Sequence, residues 1–228
     1  MIRRASELEA LFDADVRVMR EVGSGDTHGL HPAEAKVVAR AVAVRRAEFA
    51  AGRACAHAAL DALGAPDIPL LPGPDRAPVW PEGFVGSICH TRGACAAVAA
   101  SRGDTAGLGL DVEPPRVLAR DLYPLICRPE ERLHHVRLPT TGADWAMLTF
   151  CAKEAFYKAY RPLTGRFLDF HDVSVRFTLA PSPNAGTFQA VLTDRGLPLC
   201  GQTEALTGRW RHEPDHLWAA FTWPAQEA

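Results

Sequence analysis

Lysine is nearly absent from this chain. Of its 25 Lys and Arg residues only three are Lys, at 36, 153 and 158, which leaves 22 Arg. Coding bias in a GC-rich genome accounts for the general excess of Arg. Two of the three lysines nevertheless flank a single glutamate, Glu154. A surplus of either charge is also missing. The net charge of −2 provides no positive field for nucleic acid, and no such partner is expected. No two of the six cysteines (55, 89, 95, 127, 151 and 200) form a C-x-x-C pair, which argues against a zinc ribbon or a thioredoxin-type centre. Several sit among Ala, Val and Leu, where Cys behaves as a small buried hydrophobe. No apolar run is long enough to span a bilayer; the strongest, Ala94 to Ala100, falls far short. The first residues bring acids early and lack a secretory core, so a reducing cytoplasm and no membrane are expected. G-x-x-x-x-G-K-[ST], G-x-S-x-G and H-E-x-x-H are all absent, and Gly107-x-Gly109 lacks the third glycine of a dinucleotide fold.

The composition that remains is ordinary. With 47% hydrophobic and 23% charged residues over 228 positions, disorder is excluded and one large or two small soluble domains are expected. Residues 1–32 read as a partly helical, acidic lead-in. A helical stripe begins at Pro32 and runs through Val38, Val42, Phe49, Ala56, Leu60 and Leu63. The Pro- and Gly-rich segment 64–83 predicts an irregular connection. Short runs at 84–90, 94–101 and 108–113 read as strands, and a helical zone extends to about His135. A second strong helix follows, with a stripe of Trp145, Leu148, Ala152, Ala155 and Ala159. From Val173 to Trp223 the alternation predicts three or four antiparallel strands. Cys55-Ala56-x-x-Ala59 recurs as Cys151-Ala152-x-x-Ala155, each on a major helix, which makes two similar αβ halves a fair expectation.

Four constellations carry chemistry. On a strand, Leu108, Leu110 and Val112 face the core, so Asp111 and Glu113 share the other face, with Gly109 leaving room beside them. Two such carboxylates suit a hard cation such as Mg²⁺, or form an ordinary solvated edge. Glu154 and Lys158 lie one helical turn apart in an aromatic stretch with Phe150, Phe156, Tyr157 and Tyr160. They read as a third acid with a phosphate-facing cation, or as a surface pair. His90 stands where a strand breaks into a turn and can donate to a phosphate. Arg45, Arg46 and Arg53 on the first helix, with Arg76 in the Pro/Gly loop, suit phosphate groups or simple solubility. These residues leave the reaction open between group transfer, metal-dependent phosphoester cleavage and simple binding.

Taken jointly, five segments resemble the Sfp/EntD-type 4′-phosphopantetheinyl transferases. They are Arg45-Arg-Ala-Glu-Phe-x-x-Gly-Arg53, Arg76-x-Pro-x-Trp-Pro81, Gly86-Ser-x-x-His90, Gly109-x-Asp-x-Glu-Pro114 and Phe150-x-Ala-Lys-Glu-x-x-x-Lys158. They stand in the family's order over roughly residues 45–170. The Trp-Pro and the Pro after Asp-x-Glu look like the actinobacterial and enterobactin-type branch, which serves siderophore, nonribosomal peptide and polyketide synthesis. The resemblance implies an α+β fold of two similar αβ halves related by a pseudo-twofold, each a helix on a small antiparallel sheet, here 1–108 and 109–228. It implies attack by a carrier-protein serine on the β-phosphate of coenzyme A. The 4′-phosphopantetheine arm is transferred and adenosine 3′,5′-bisphosphate leaves. It implies Asp111, Glu113 and Glu154 as ligands for Mg²⁺, or Mn²⁺ in its place, with Glu154 as general base. It implies Lys158 on the transferring phosphate and Arg45, Arg53, Arg76 and His90 on coenzyme A, Arg46 being the alternative to Arg45. Partners implied are apo acyl and peptidyl carrier domains, docked over the cleft, with residues 118–126 as a candidate surface, and the enzyme is expected to be a monomer. Cys89 departs from the Ser or Thr usual before the histidine. His134 and His135 have no role in this scheme and read as surface.

Overall fold

The structure is a computed structural model, and it describes residues 1–21, 29–74, 76–140, 142–193 and 206–225. Residues 1–21 hold a short strand β1 (Ile2–Arg4), a single helical turn α1 (Ser6–Glu9) and a strand β2 (Val16–Glu21). The expected helical lead-in is therefore largely β. Val16-Arg17-Val18 alternates as a strand does, but the alternation stops there, because the next position on the buried face is Arg20 and Glu21 is the buried one.

The long helix expected from Pro32 is two helices, α2 (Pro32–Val37) and α3 (Ala43–Asp61). The stripe fails at Val42, which is 73% exposed and extended at φ −64°, ψ 156°. The β-branched Val37, Val38 and Val42 weaken helix where the chain turns. The proline-rich connection is irregular as expected, with an isolated Pro72–Pro78 bridge. Strands β3 (Phe84–Thr91), β4 (Ala94–Ser101) and β5 (Gly107–Glu113) follow. Two short helices, α4 (Tyr123–Ile126) and α5 (Pro129–His135), lead to α6 (Trp145–Thr164). Asp144 caps α6 by accepting from the Met147 N–H at 2.9 Å, and Gly165 ends it in the left-handed region at φ 67°. The tail forms four strands, β6 (Val173–Leu179), β7 (Ala185–Leu192), β8 (Leu206–Glu213) and β9 (His216–Trp223).

The architecture is α+β, with two antiparallel sheets ordered β1-β2-β4-β3 and β5-β9-β8-β7-β6. Each sheet carries one long helix, α3 on the first and α6 on the second. The repeated Cys-Ala element occupies matching places. Cys55 on α3 donates to the Cys95 carbonyl of β4, and Cys151 on α6 to the Leu217 carbonyl of β9. All five described cysteines are free and buried; Cys200 lies outside the described residues.

Strand β5 joins the halves. Leu108, Leu110 and Val112 pack with Val85, Val98 and Trp218 in the core between the sheets. The buried Ser87 hydroxyl on β3 accepts the Leu110 N–H at 3.2 Å. Ala96 to Ala100 on β4 are wholly buried because both faces of the strand are covered. That explains an apolar run too short for any membrane role. Among the described residues no helix is long and apolar enough to cross a membrane.

Candidate active site

The opposite face of β5 looks at α6, and glycine sets the distance. A Cβ on Gly109 would stand 1.7 Å from the Ala155 carbonyl oxygen, and one on Gly107 3.0 Å from that of Ala159. Without side chains at these two positions the helix lies directly against the strand. This brings Glu154 and Lys158, one turn apart, over Asp111 and Glu113. The room that Gly109 leaves is filled by helix backbone.

Lys158 Nζ donates to Asp111 Oδ1 at 2.7 Å and to the Leu110 carbonyl at 3.2 Å. Burial disfavours the Lys158 charge, but Asp111 and Glu154 outweigh it and raise the pKa above that of an ordinary lysine. The ammonium is therefore a fixed cation at neutral pH. Asp111 is 6% exposed, and its Oδ2 is buried with no hydrogen-bond partner. Glu113 is pushed up from 4.5 to about 7, first by burial and then by the Asp111 charge, with Glu154 adding to it. Glu154 is raised by burial and by Asp111, against the pull of Lys158. Asp111 and Glu154 thus raise Glu113, and Asp111 raises Glu154, while one Asp111 oxygen stays without a partner.

Their chemistry fits a hard divalent cation. All the donors are carboxylate oxygens, Asp111 Oδ2 lacks a partner, and an added positive charge would relieve the repulsion that raises Glu113 and Glu154. Among the described residues no three such side chains are yet drawn into a coordination cluster. Lys158 holds the other Asp111 oxygen instead.

His90 is the last residue but one of β3, and its Nε2 lies 3.1 Å from Arg45 Nη1. A guanidinium only donates, so Nε2 accepts and the proton of a neutral ring sits on Nδ1. Desolvation lowers the His90 pKa; Arg45 and Lys158 act in the same direction and Glu48 against them. Arg45 thus stands beside His90, whereas the Arg46 guanidinium turns back to the Ala41 carbonyl at 3.1 Å. Arg53 is buried. Its Nε donates to the Leu70 carbonyl at 2.8 Å, and its guanidinium lies 4.4 Å over the Phe49 ring. Arg76 is exposed on the proline-rich loop at φ 68°, with its N–H on the Gly73 carbonyl, and is not drawn against the other site residues.

One expectation is corrected, the surface reading of His135. Lys153, the other lysine beside Glu154, is engaged away from the acids of the site. It is buried against Glu131 at 2.9 Å and also donates to the carbonyls of Ile126 and Phe170, so it ties α4 and α5 to α6. His135 is not surface. It is 8% exposed, bridges Tyr123 and Thr149, and is depressed by burial from 6.5 to about 4. In 118–126 the ends Leu118 and Ile126 are buried, whereas Leu122 and Leu125 are exposed. The Cys89 departure is mild, because its thiol faces the core and reaches the Ala96 carbonyl. Gly86 has a specific cause, since a Cβ there would strike the Trp80 ring at 2.5 Å.

The two-sheet α+β fold thus sets Asp111 on β5 against Lys158 on α6, with Glu113 and Glu154 close by. Residues 33–100 match the 4′-phosphopantetheinyl transferase N-terminal domain, and residues 107–221 match the 4′-phosphopantetheinyl transferase superfamily. The chain belongs to that superfamily and is an enzyme of its transferase class. It is 44% identical over 185 residues to 4′-phosphopantetheinyl transferase Svp of Streptomyces mobaraensis, covering 79% of this chain and 73% of that protein. It is 40% identical over 183 residues to 4′-phosphopantetheinyl transferase PptT of Mycobacterium tuberculosis, covering 80% and 81%. Enterobactin synthase component D of Salmonella typhimurium is 38% identical over 120 residues, 51% of this chain and 48% of that protein.

Proposed function

We propose that the chain transfers the 4′-phosphopantetheine arm of coenzyme A to a serine hydroxyl of apo acyl and peptidyl carrier proteins. These carriers belong to polyketide or nonribosomal peptide synthases, and adenosine 3′,5′-bisphosphate is the leaving product. The observation that carries this reading is the Asp111–Lys158 pair, with Asp111 Oδ2 unpartnered and the Asp111 charge acting on both Glu113 and Glu154. The halves divide at residue 108, and coenzyme A lies in the cleft between them.

Asp111 Oδ2, Glu113 and Glu154 hold Mg²⁺, or Mn²⁺ in its place. The bound cation supplies charge neutralisation on the pyrophosphate. Glu154 accepts the serine proton, which a weak nucleophile needs help to lose. Lys158, already cationic and held by Asp111, meets the transferring phosphate. Arg45 orients His90, and the two meet coenzyme A phosphates together with Arg53 and Arg76. Exposed Leu122 and Leu125 beside exposed Arg116 and Arg120 offer an apolar and basic surface to an acidic carrier helix. The enzyme acts as a cytoplasmic monomer.

Intact-mass analysis of several apo carrier domains incubated with the chain, coenzyme A and Mg²⁺ tests this. The expected result is one added phosphopantetheine on the carrier and none after chelation. Release of bisphosphate without any carrier would point to a phosphoesterase instead.

A further inference from the structure

We propose that Glu34, on the short helix α2, is a positioning residue for coenzyme A recognition that acts through the backbone of Leu70 on Arg53. The inference rests on the reading of Arg53 as a coenzyme A contact.

Glu34 is completely buried. An ionised carboxylate out of water is costly unless its oxygens are fully engaged. Here they are. Oε1 accepts the Leu70 N–H at 2.8 Å and lies 2.8 Å from His57 Nε2, and Oε2 accepts the His31 N–H at 3.2 Å. The His31 contact closes the start of α2, a local role any capping acid could fill. The Leu70 contact is different, because it reaches 36 residues along the chain into the proline-rich connection.

Leu70 is held from both sides. Its N–H is bound by Glu34 and its carbonyl by Arg53 Nε at 2.8 Å. Its side chain is fully buried in the core under α3. The Phe49 ring stacks on the Arg53 guanidinium at 4.4 Å. Nε is thereby engaged and the plane fixed, so the two terminal amino groups are aimed before any ligand arrives. Arg53 loses pKa first to burial, and the Glu34 charge opposes that loss, so the two groups also interact through space. Fixing a long cation in advance lowers the ordering cost of binding.

The test is a double-mutant cycle on the full chain, with coenzyme A binding read by calorimetry and carrier loading by steady-state kinetics. Glu34→Gln keeps the size and one acceptor, but turns an amide NH₂ toward the Leu70 or His31 N–H. It is expected to weaken coenzyme A binding and raise its KM about tenfold, roughly the worth of one well-placed charge-assisted contact. The KM for the carrier protein should not move. In an Arg53→Ala background the same substitution should add nothing further, because the two residues act as one unit. Losses that multiply in the double variant would overturn the proposal, as would wild-type affinity in a folded Glu34→Gln protein when Arg53→Ala is weakened. Unchanged affinity in Arg53→Ala itself would instead refute the reading of Arg53. If Glu34→Gln does not fold, Arg53→Lys replaces it, since lysine keeps the charge but lacks the Nε donor to Leu70. Weakening close to that of Arg53→Ala is then expected, and wild-type affinity refutes the inference.

Discussion

Lys158 reaches from α6 to hold one oxygen of Asp111 on β5 at 2.7 Å, and the other oxygen of that carboxylate is buried without a partner. A charge pair and an open acceptor thus share one side chain. The compact ammonium fits between Asp111 Oδ1 and the Leu110 carbonyl, beside the close approach of α6 to Gly109. A planar guanidinium needs more room and a different donor geometry. Lys158→Arg is therefore expected to keep the fold and lose at least tenfold in kcat for carrier loading. Full activity in that variant would contradict the role given to this lysine.

Glu113 gives a pH signature in metal-free protein. Its folded pKa is raised from 4.5 to about 7, so the fold prefers the protonated form. That preference is fully present below pH 4.5 and is lost as pH rises through about 7. Glu113→Gln removes the ionisation, so it should raise metal-free stability at pH 8 by about 1–2 kcal/mol, allowing for partial exposure. Near pH 4 it should change little. Thermal melts at both pH values check this; an equal effect at the two would count against it.

Gly109 should not accept a side chain. Ala155 is the neighbour of Glu154, and its carbonyl oxygen stands where the new Cβ would go. Gly109→Ala is expected to cost about 3 kcal/mol and to abolish transfer by pushing α6 off β5. Gly103→Ala, whose Cβ would meet only the Ser101 hydroxyl at 3.8 Å, serves as the control and should be near neutral. Chemical denaturation measures both.

His135 should make the fold acid-sensitive. Its pKa is depressed from 6.5 to about 4, so the fold holds it neutral while the unfolded chain takes up a proton. The stability it contributes is present above pH 6.5 and falls progressively toward pH 4, by up to about 3 kcal/mol. His135→Gln should flatten that part of the stability curve. An unchanged slope between pH 6.5 and 4 would rule the residue out as its source.

The sequence made the second half more legible than the first. Val173, Val175 and Phe177 alternate cleanly because one face of β6 meets the core, and all three are buried. Asp111 and Glu113 could be placed on one face because strand geometry leaves no choice. Strand β2 was hidden because its alternation of buried and exposed residues lasts only from Val16 to Val18, and the break at Val42 because helical spacing alone continues across it. Nor could sequence show which way Arg45 and Arg46 turn. Their positions differ by one residue, and only the partners, His90 for one and the Ala41 carbonyl for the other, separate them. Glu34 and Lys153 were beyond reach for a related reason, since the Leu70 N–H for one and Glu131 with the Ile126 and Phe170 carbonyls for the other lie far along the chain.

The most direct test is the rate of carrier-protein loading by Glu154→Gln at saturating coenzyme A and Mg²⁺, against the wild-type chain, with folding confirmed by circular dichroism. Gln keeps the shape of Glu154 but can neither take the serine proton nor supply its charge. A loss of at least a hundredfold with the fold intact is expected; loading within a few-fold of wild type would contradict the assignment of this site.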